Sequence, residues 1–190
     1  LLAYSPYPLE SAAAAHGLDF GAHELGLVFF GWGAALAISS VLLAPVLTRR
    51  LGLRPVLFAM LGLLGATLVA MGVGVRSVTA LVALVITAGL FLGVLNTALT
   101  ETVMVATRLP HGVASATYSG VRVLGGAIAP AVSGGIAASL GAAGPDWFGS
   151  AALVVSMLVL ALGGHTLAHV GRPHVTARAE AEAITVGDEV

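Results

Sequence analysis

The sequence contains no cysteine and no lysine, and only 9% of its 190 residues are charged. Without cysteine, the chain can form neither a disulfide framework nor a thiolate metal site. Soluble domains of this size usually have about a quarter of their residues charged, so the composition argues against a soluble fold. The formal net charge of −1 offers no electrostatic attraction to a polyanion, which argues against nucleic acid as a partner.

Apolar residues are abundant instead and make up 58% of the chain. A membrane-spanning helix needs about 20 mostly apolar residues, and five stretches qualify. None alternates apolar and polar residues, so a β-barrel is not expected. Because backbone groups in lipid must form hydrogen bonds within the span, α-helices are the remaining structure that these stretches can adopt. We therefore predict an all-α, polytopic helical bundle in the lipid bilayer, with spans at about 25–47, 55–75, 78–103, 114–140 and 147–167.

The first 24 residues differ from these spans. The chain opens in the middle of an apolar pattern, with LLAYSPYPLE, and no basic segment of a signal peptide precedes it. We expect residues 1–24 to be the end of a truncated sixth helix and an extracellular loop. Residues 25–167 would form the bundle and 168–190 a solvated tail. This pattern predicts that the chain is a fragment of a longer polypeptide.

The arginines alternate between the two sides of the membrane. One side holds Arg49, Arg50, Arg54, Arg108 and the arginines of the tail, whereas the link at the other side holds only Arg76. Basic loops remain in the cytoplasm. The alternation predicts a multi-pass protein of the plasma membrane with a cytoplasmic C-terminus.

Small residues form a stripe along the first span. Gly26, Gly33, Ala37, Ser40 and Ala44 recur at helical spacing. Such stripes let helix backbones approach closely in lipid. We interpret this one as a helix contact.

The third span has a polar face on an otherwise apolar helix, which points to protein or water. Asn96 either lines a substrate cavity or forms an interhelical hydrogen bond, and the pattern leaves both open. Glu101, near the cytoplasmic end, is either a proton-binding carboxylate or part of an ion-pair gate, which we favour. The face comprises Gly89, Gly93, Asn96, Thr97, Thr100 and Glu101.

The fourth span combines a charge with helix-weakening residues. Arg122 has three open outcomes: it snorkels to the cytoplasm, pairs with Glu101, or binds an anionic substrate. Pro130 removes a helix hydrogen bond, which fits a moving helix and equally a static kink. The residues predicted for kinking and packing are Gly125, Gly126, Pro130, Gly134 and Gly135.

No catalytic or cofactor motif is visible. His165 and His169 are one helical turn apart, with His174 beyond them, but no nearby carboxylate completes a metal site. Neither a Ser–His–Asp set, a phosphate loop nor an H-E-x-x-H pattern occurs. The sequence therefore predicts no enzyme, no metal and no cofactor.

Three features resemble the C-terminal half of a major facilitator superfamily transporter. The link from Ala44 to Arg54, APVLTRRLGLR, resembles that superfamily's G-x-x-x-D-R-x-G-R-R loop without the aspartate. Glu101-x6-Arg108 is similar to the E-x6-R element of helix ten. The run from Gly125 to Gly135 resembles the antiporter motif G-x-x-x-G-P-x-x-G-G, with different spacing.

The resemblance implies that the five spans are helices eight to twelve. The segments around Asn96–Glu101 and Val113–Arg122 look like drug:proton antiporters, which implies alternating-access export of small amphipathic compounds, coupled to protons. It also implies a missing N-terminal half, which would carry the proton carboxylates. Alternatives are a sugar or metabolite uptake permease, or a truncated membrane module without transport. The implied cytoplasmic gate network is Arg49, Arg50, Arg54, Glu101 and Arg108.

Overall fold

The computed structural model describes residues 6–15, 21–73, 77–107, 111–141 and 143–163. Within these ranges every secondary-structure element is a helix, which confirms the all-α prediction. A short π-helical segment, Ser39–Leu43, joins α2 to α3, so that the three form one continuous rod. The elements are α1 (Pro6–Ala15), α2 (Ala22–Ile38), α3 (Ala44–Leu51), α4 (Leu53–Gly72), α5 (Val78–Ala106), α6 (His111–Leu140) and α7 (Gly144–Leu162).

Five of the described helical rods are long and apolar enough to cross a membrane. They lie where the five apolar stretches predict them. The last predicted span extends to residue 167, but α7 ends at Leu162 and residues 164–190 lie outside the described ranges. The predicted cytoplasmic tail and all three tail histidines fall in that part.

The short helix α1 docks against the bundle ahead of the first full span. Its Leu9 is completely buried, in a cluster that includes Val28 of α2 and Val85 of α5. Burying a leucine side chain contributes about 1.5–3 kcal/mol. Leu9 is therefore one of the residues that anchor α1 against α2 and α5.

The central helix of the bundle is α5, which packs against α2 on one side and α4 on another. In the larger core, Leu57 of α4 meets Val94 and Ala98 of α5, and α7 covers the far side of α4. The 29 residues of α5 span about 44 Å, enough to cross a bilayer with its headgroups. The polar residues of the third span are therefore held on a helix with neighbours on several sides.

By contrast, α6 packs mainly against parts of α5 and α7 among the described helices. In its most apolar 18-residue stretch, no residue is buried within the described chain. Large side chains such as Val121 and Leu124 are about two-thirds exposed, at 66% and 63%. Most of α6 therefore faces lipid or protein that is not among the described residues.

Candidate functional site

The crossing of α2 and α5 is the tightest helix contact in the described chain. A Cβ atom built on Gly89 lies 2.5 Å from the backbone oxygen of Trp32. One built on Gly93 collides with the Leu36 backbone oxygen and with Ser39 Oγ. Only glycine permits this approach, which is the use that small residues have at helix interfaces in lipid. The contact fixes the rotation of α5 and hence the direction of its polar residues.

The partner surface on α2 differs from the predicted stripe. Cβ atoms built on Gly26 and Gly33 meet nothing within 4 Å, so these two glycines make no helix contact among the described residues. The close approach of α2 and α5 uses the glycines of α5 instead, and a helix contact at Gly26 and Gly33 stays a prediction. The contact begins at Trp32 and continues through the π-helical segment, where Ser39 is completely buried.

The π-helical segment supplies a polar link at this crossing. The Ala44 N–H donates to Ser39 O, one residue beyond the usual α-helical acceptor, and Pro45 has no N–H to offer. The Ser40 carbonyl is thus left without a donor from its own helix. Thr97 Oγ1 of α5 lies 3.4 Å from Ser40 O and 3.2 Å from Gly93 O, so its single proton is shared between them.

Asn96, adjacent to Thr97, points to the opposite neighbour. Its Oδ1 accepts a hydrogen bond from Arg122 Nη1 of α6, at 2.8 Å. Both residues were candidates from the sequence, and the structure brings them together. Of the outcomes left open, an interhelical hydrogen bond is present for Asn96. Arg122 pairs with this amide rather than with Glu101.

The pair lies well inside the membrane-spanning length. The α3–α4 turn lies at one end of the bundle, which we call the arginine-rich end because Arg49, Arg50 and Arg54 are located there. Asn96 precedes the end of α5 by 10 residues, and Arg122 follows the start of α6 by 11. Both are therefore about 15 Å from the arginine-rich end. A charge at the bilayer centre costs about 2.5–3.5 kcal/mol on insertion scales, so Arg122 needs compensation.

The proposed gate residues are separate in the structure. Arg49 and Arg50 are exposed in the last turn of α3, and Glu101 is exposed near the end of α5. Arg54 lies over the ring of Phe58, with its guanidinium carbon 5.9 Å from the ring centroid. Among the described residues Glu101 forms no ion pair with these arginines. Arg108 lies outside the described ranges, so the network stays a prediction.

The glycines of α6 stand in open space. Cβ atoms on Gly125, Gly126, Gly134 and Gly135 meet nothing within 4 Å. The helix continues through Pro130, which leaves the Gly126 carbonyl without its helical donor. The predicted packing role therefore requires a partner that is not among the described residues. No group of three metal-ligating side chains occurs within the described ranges either.

The sequence analysis predicted neither the π-helical segment nor the hydrogen bond that Thr97 donates to it. Pro45 was the available signal, because a proline inside a membrane helix always leaves one carbonyl to be satisfied. Gly93-x3-Thr97 on a neighbouring span supplies a donor at the point of closest approach. Combining the two observations requires knowledge that α2 and α5 are neighbours.

Comparison with known proteins gives one informative relative. The chain is 38% identical over 174 residues to a protein of Bacillus subtilis (strain 168) named multidrug efflux protein YfmO. The alignment covers 92% of this chain but 42% of the relative, so the chain spans about two fifths of the relative's length. No family model matches the chain, and no solved structure matches it significantly.

Proposed function

We propose that the chain is the C-terminal half of a secondary active transporter of the major facilitator superfamily, and that it exports small amphipathic compounds. The observation that carries this proposal is the 38% identity, across 92% of the chain, to a protein named for multidrug efflux. Five membrane-spanning rods support it. A hydrogen-bonded polar pair at membrane depth, Asn96 and Arg122, adds a charged group that a bundle with only a structural role does not need.

The partner of this half is the N-terminal half of the same transporter. Its place is the uncovered side of α6, where the open glycines allow another helix to approach closely. The relative is more than twice as long as the aligned region, which leaves length for such a half. In alternating access, the two halves rock about a site near the midplane of the bilayer. A helix that carries Pro130 between glycines suits that movement.

The gate consists of Glu101 with Arg49, Arg50, Arg54 and Arg108, at the cytoplasmic face. Glu101 is exposed and forms no described ion pair with the first three arginines, so it is available to bind them when the halves rock. An ion pair that forms and breaks is better suited to a switch than to static stability. Proton coupling would be provided by the N-terminal half, since none of the carboxylates among the described residues of this half is fully buried.

The test is ethidium transport by the intact polypeptide in inverted and right-side-out membrane vesicles. An exporter accumulates ethidium in inverted vesicles upon addition of a proton gradient, whereas an uptake permease does so in right-side-out vesicles. Glu101→Gln and Arg108→Ala should each lower the initial rate by about tenfold if the gate contributes 1.4 kcal/mol.

Glu24→Gln is the matched control for this test, because it neutralises a carboxylate at the opposite end of the bundle. Glu24 accepts a hydrogen bond from the Gly21 N–H, and the glutamine oxygen can accept the same bond. Its rate should stay near that of the wild type. A wild-type rate in Glu101→Gln would refute the gate. Transport of neither ethidium nor an anionic dye, fluorescein, in either vesicle orientation would refute the exporter.

A further inference from the structure

Arg122 is a permanent cation inside a membrane helix with no described counter-charge. Arginine is not deprotonated in proteins, so the charge persists throughout any transport cycle. The acidic residues within the described ranges are Glu10, Glu24, Glu101 and Asp146. None of them forms an ion pair with Arg122, whose one described partner is the neutral amide of Asn96.

Asn96 orients the guanidinium without neutralising it. The group has five N–H donors arranged as a planar fork, and the described bond uses one of them, on Nη1. The edge formed by Nε and Nη2 stays available. That edge has the geometry that binds a carboxylate or another oxyanion through two parallel hydrogen bonds.

The bond to Asn96 also holds the cation at depth. A long arginine side chain ordinarily extends along its helix to reach the headgroups. Here the 2.8 Å bond ties Nη1 to a side chain that is itself about 15 Å from the arginine-rich end. The guanidinium therefore stays at the level of the α5 polar face.

The space beside Arg122 is open. Residues three and four positions apart are neighbours on a helix surface, and Arg122 has Ser119 on one side and Gly125 and Gly126 on the other. Cβ atoms on both glycines would meet nothing within 4 Å. A molecule that approaches α6 from the side of the proposed N-terminal half could reach the free edge of the guanidinium.

We propose that Arg122, oriented by Asn96, binds the oxyanion group of an amphipathic substrate, so that the transporter accepts organic anions such as carboxylates and sulfonates. The proposal rests on the proposed export function and names the class of substrate for it. The anion supplies the charge that the described residues lack. Asn96 is a positioning residue, and Arg122 is the residue that contacts the substrate.

The test compares two aromatic probes of similar size and opposite charge: fluorescein, an anion, and ethidium, a cation. Their dissociation constants are measured by fluorescence anisotropy on the purified intact polypeptide in an uncharged detergent, which excludes anionic lipid headgroups as competitors. Arg122→Gln should weaken fluorescein binding by about tenfold or more and leave ethidium binding within about twofold. Arg122→Lys, which keeps the charge but loses the fork, should fall between the wild type and Arg122→Gln.

Asn96→Asp provides a second, nearly isosteric variant. It places a carboxylate on the guanidinium, so it should weaken fluorescein binding as much as Arg122→Gln and leave ethidium binding unchanged or tighter. Arg76→Gln, the same chemical change in the link between the second and third spans, is the matched control and should not alter the binding of either probe. Elution as a single species on size exclusion shows that each variant is folded.

Three outcomes would overturn the proposal. They are a wild type that does not bind fluorescein, equal loss of both probes in Arg122→Gln, and unchanged fluorescein binding in Arg122→Gln or Asn96→Asp. The last result would mean that fluorescein binds without contacting Arg122. Transport in proteoliposomes separates this proposal from the export function. Arg122-dependent binding of fluorescein without transport of either probe would refute export alone, whereas ethidium export without Arg122-dependent anion binding would refute the anion site alone.

Discussion

Replacing Gly93 by alanine should weaken the bundle where α2 and α5 cross. The added methyl group would collide with the Leu36 backbone oxygen and with Ser39 Oγ. The oxygen belongs to a packed helix and cannot turn aside. Overpacking of this kind costs about 1–3 kcal/mol. Alanine recovers about 0.4–1 kcal/mol by restricting the unfolded chain, so the net loss in free energy of unfolding should be about 1–2 kcal/mol.

The control is Gly62→Ala, the same change in the middle of α4. A Cβ at Gly62 meets nothing within 4 Å, so only the favourable backbone contribution remains and stability should be unchanged or slightly higher. The measurement is the free energy of unfolding of the intact polypeptide, obtained by titrating mixed micelles with sodium dodecyl sulfate and following far-ultraviolet circular dichroism.

A second substitution tests whether the collision itself is the cause. Ser39→Ala removes Oγ, one of the two atoms that the new methyl group would meet. The Gly93→Ala/Ser39→Ala double variant should therefore recover part of the loss, which gives a favourable coupling energy of at least 0.5 kcal/mol. If Gly93→Ala is as stable as Gly62→Ala, the described proximity of the two helices is incorrect and the reasoning fails.

Two further predictions concern the rod formed by α2, Ser39–Leu43 and α3. Thr97→Val removes the donor near Ser40 O and should cost about 0.5–1.5 kcal/mol, because a part-buried carbonyl loses its hydrogen bond. In a Pro45→Ala background, which restores an N–H in the rod, the cost should shrink. An undiminished cost in the same micelle titration would contradict our account. Gly52→Ala should cost about 1–3 kcal/mol, because Gly52 has φ +86° and ψ 160° in the α3–α4 turn, a backbone conformation that is essentially restricted to glycine. Gly33→Ala, in an ordinary helical position with open space, is its control, and equal stability of the two variants would show that the turn relaxes.

The architecture was predictable from the sequence because the membrane restricts the choices. Once backbone groups must pair within each span, the lengths of the apolar stretches determine the number and order of the helices. The close approach of α2 and α5 was not predictable in detail. Small residues on both spans signalled a contact, but which stripe is used depends on the rotation of each helix. Gly93 is at the contact, whereas Gly33 is not.

The candidate site was predictable as a set of residues but not as a pair. Asn96 and Arg122 each violate the apolar pattern of their span, and that violation identified them. Their hydrogen bond joins positions 26 residues apart, and it depends on the turn between α5 and α6 and on how each helix is rotated about its axis. Periodicity alone therefore could not predict whether Arg122 snorkels, pairs with Glu101 or binds Asn96. The sequence also could not predict which of the charged gate residues pair with one another, because exposed arginine side chains adopt many conformations of similar energy.

The two polar residues at the centre of α5 separate stability from recognition. Thr97 and Asn96 are consecutive, so they point about 100° apart on the helix, one towards α2 and the other towards α6. The α2 side is closed, with backbone against backbone at Gly93. On the α6 side, the described link between the two helices at the depth of Asn96 is one side-chain hydrogen bond, from Arg122. Gly93→Ala should therefore lower stability without changing the preference between fluorescein and ethidium, and Arg122→Gln should change that preference at nearly wild-type stability. If either variant produced both effects, the two sides of α5 would act as one unit and the division proposed here would be wrong.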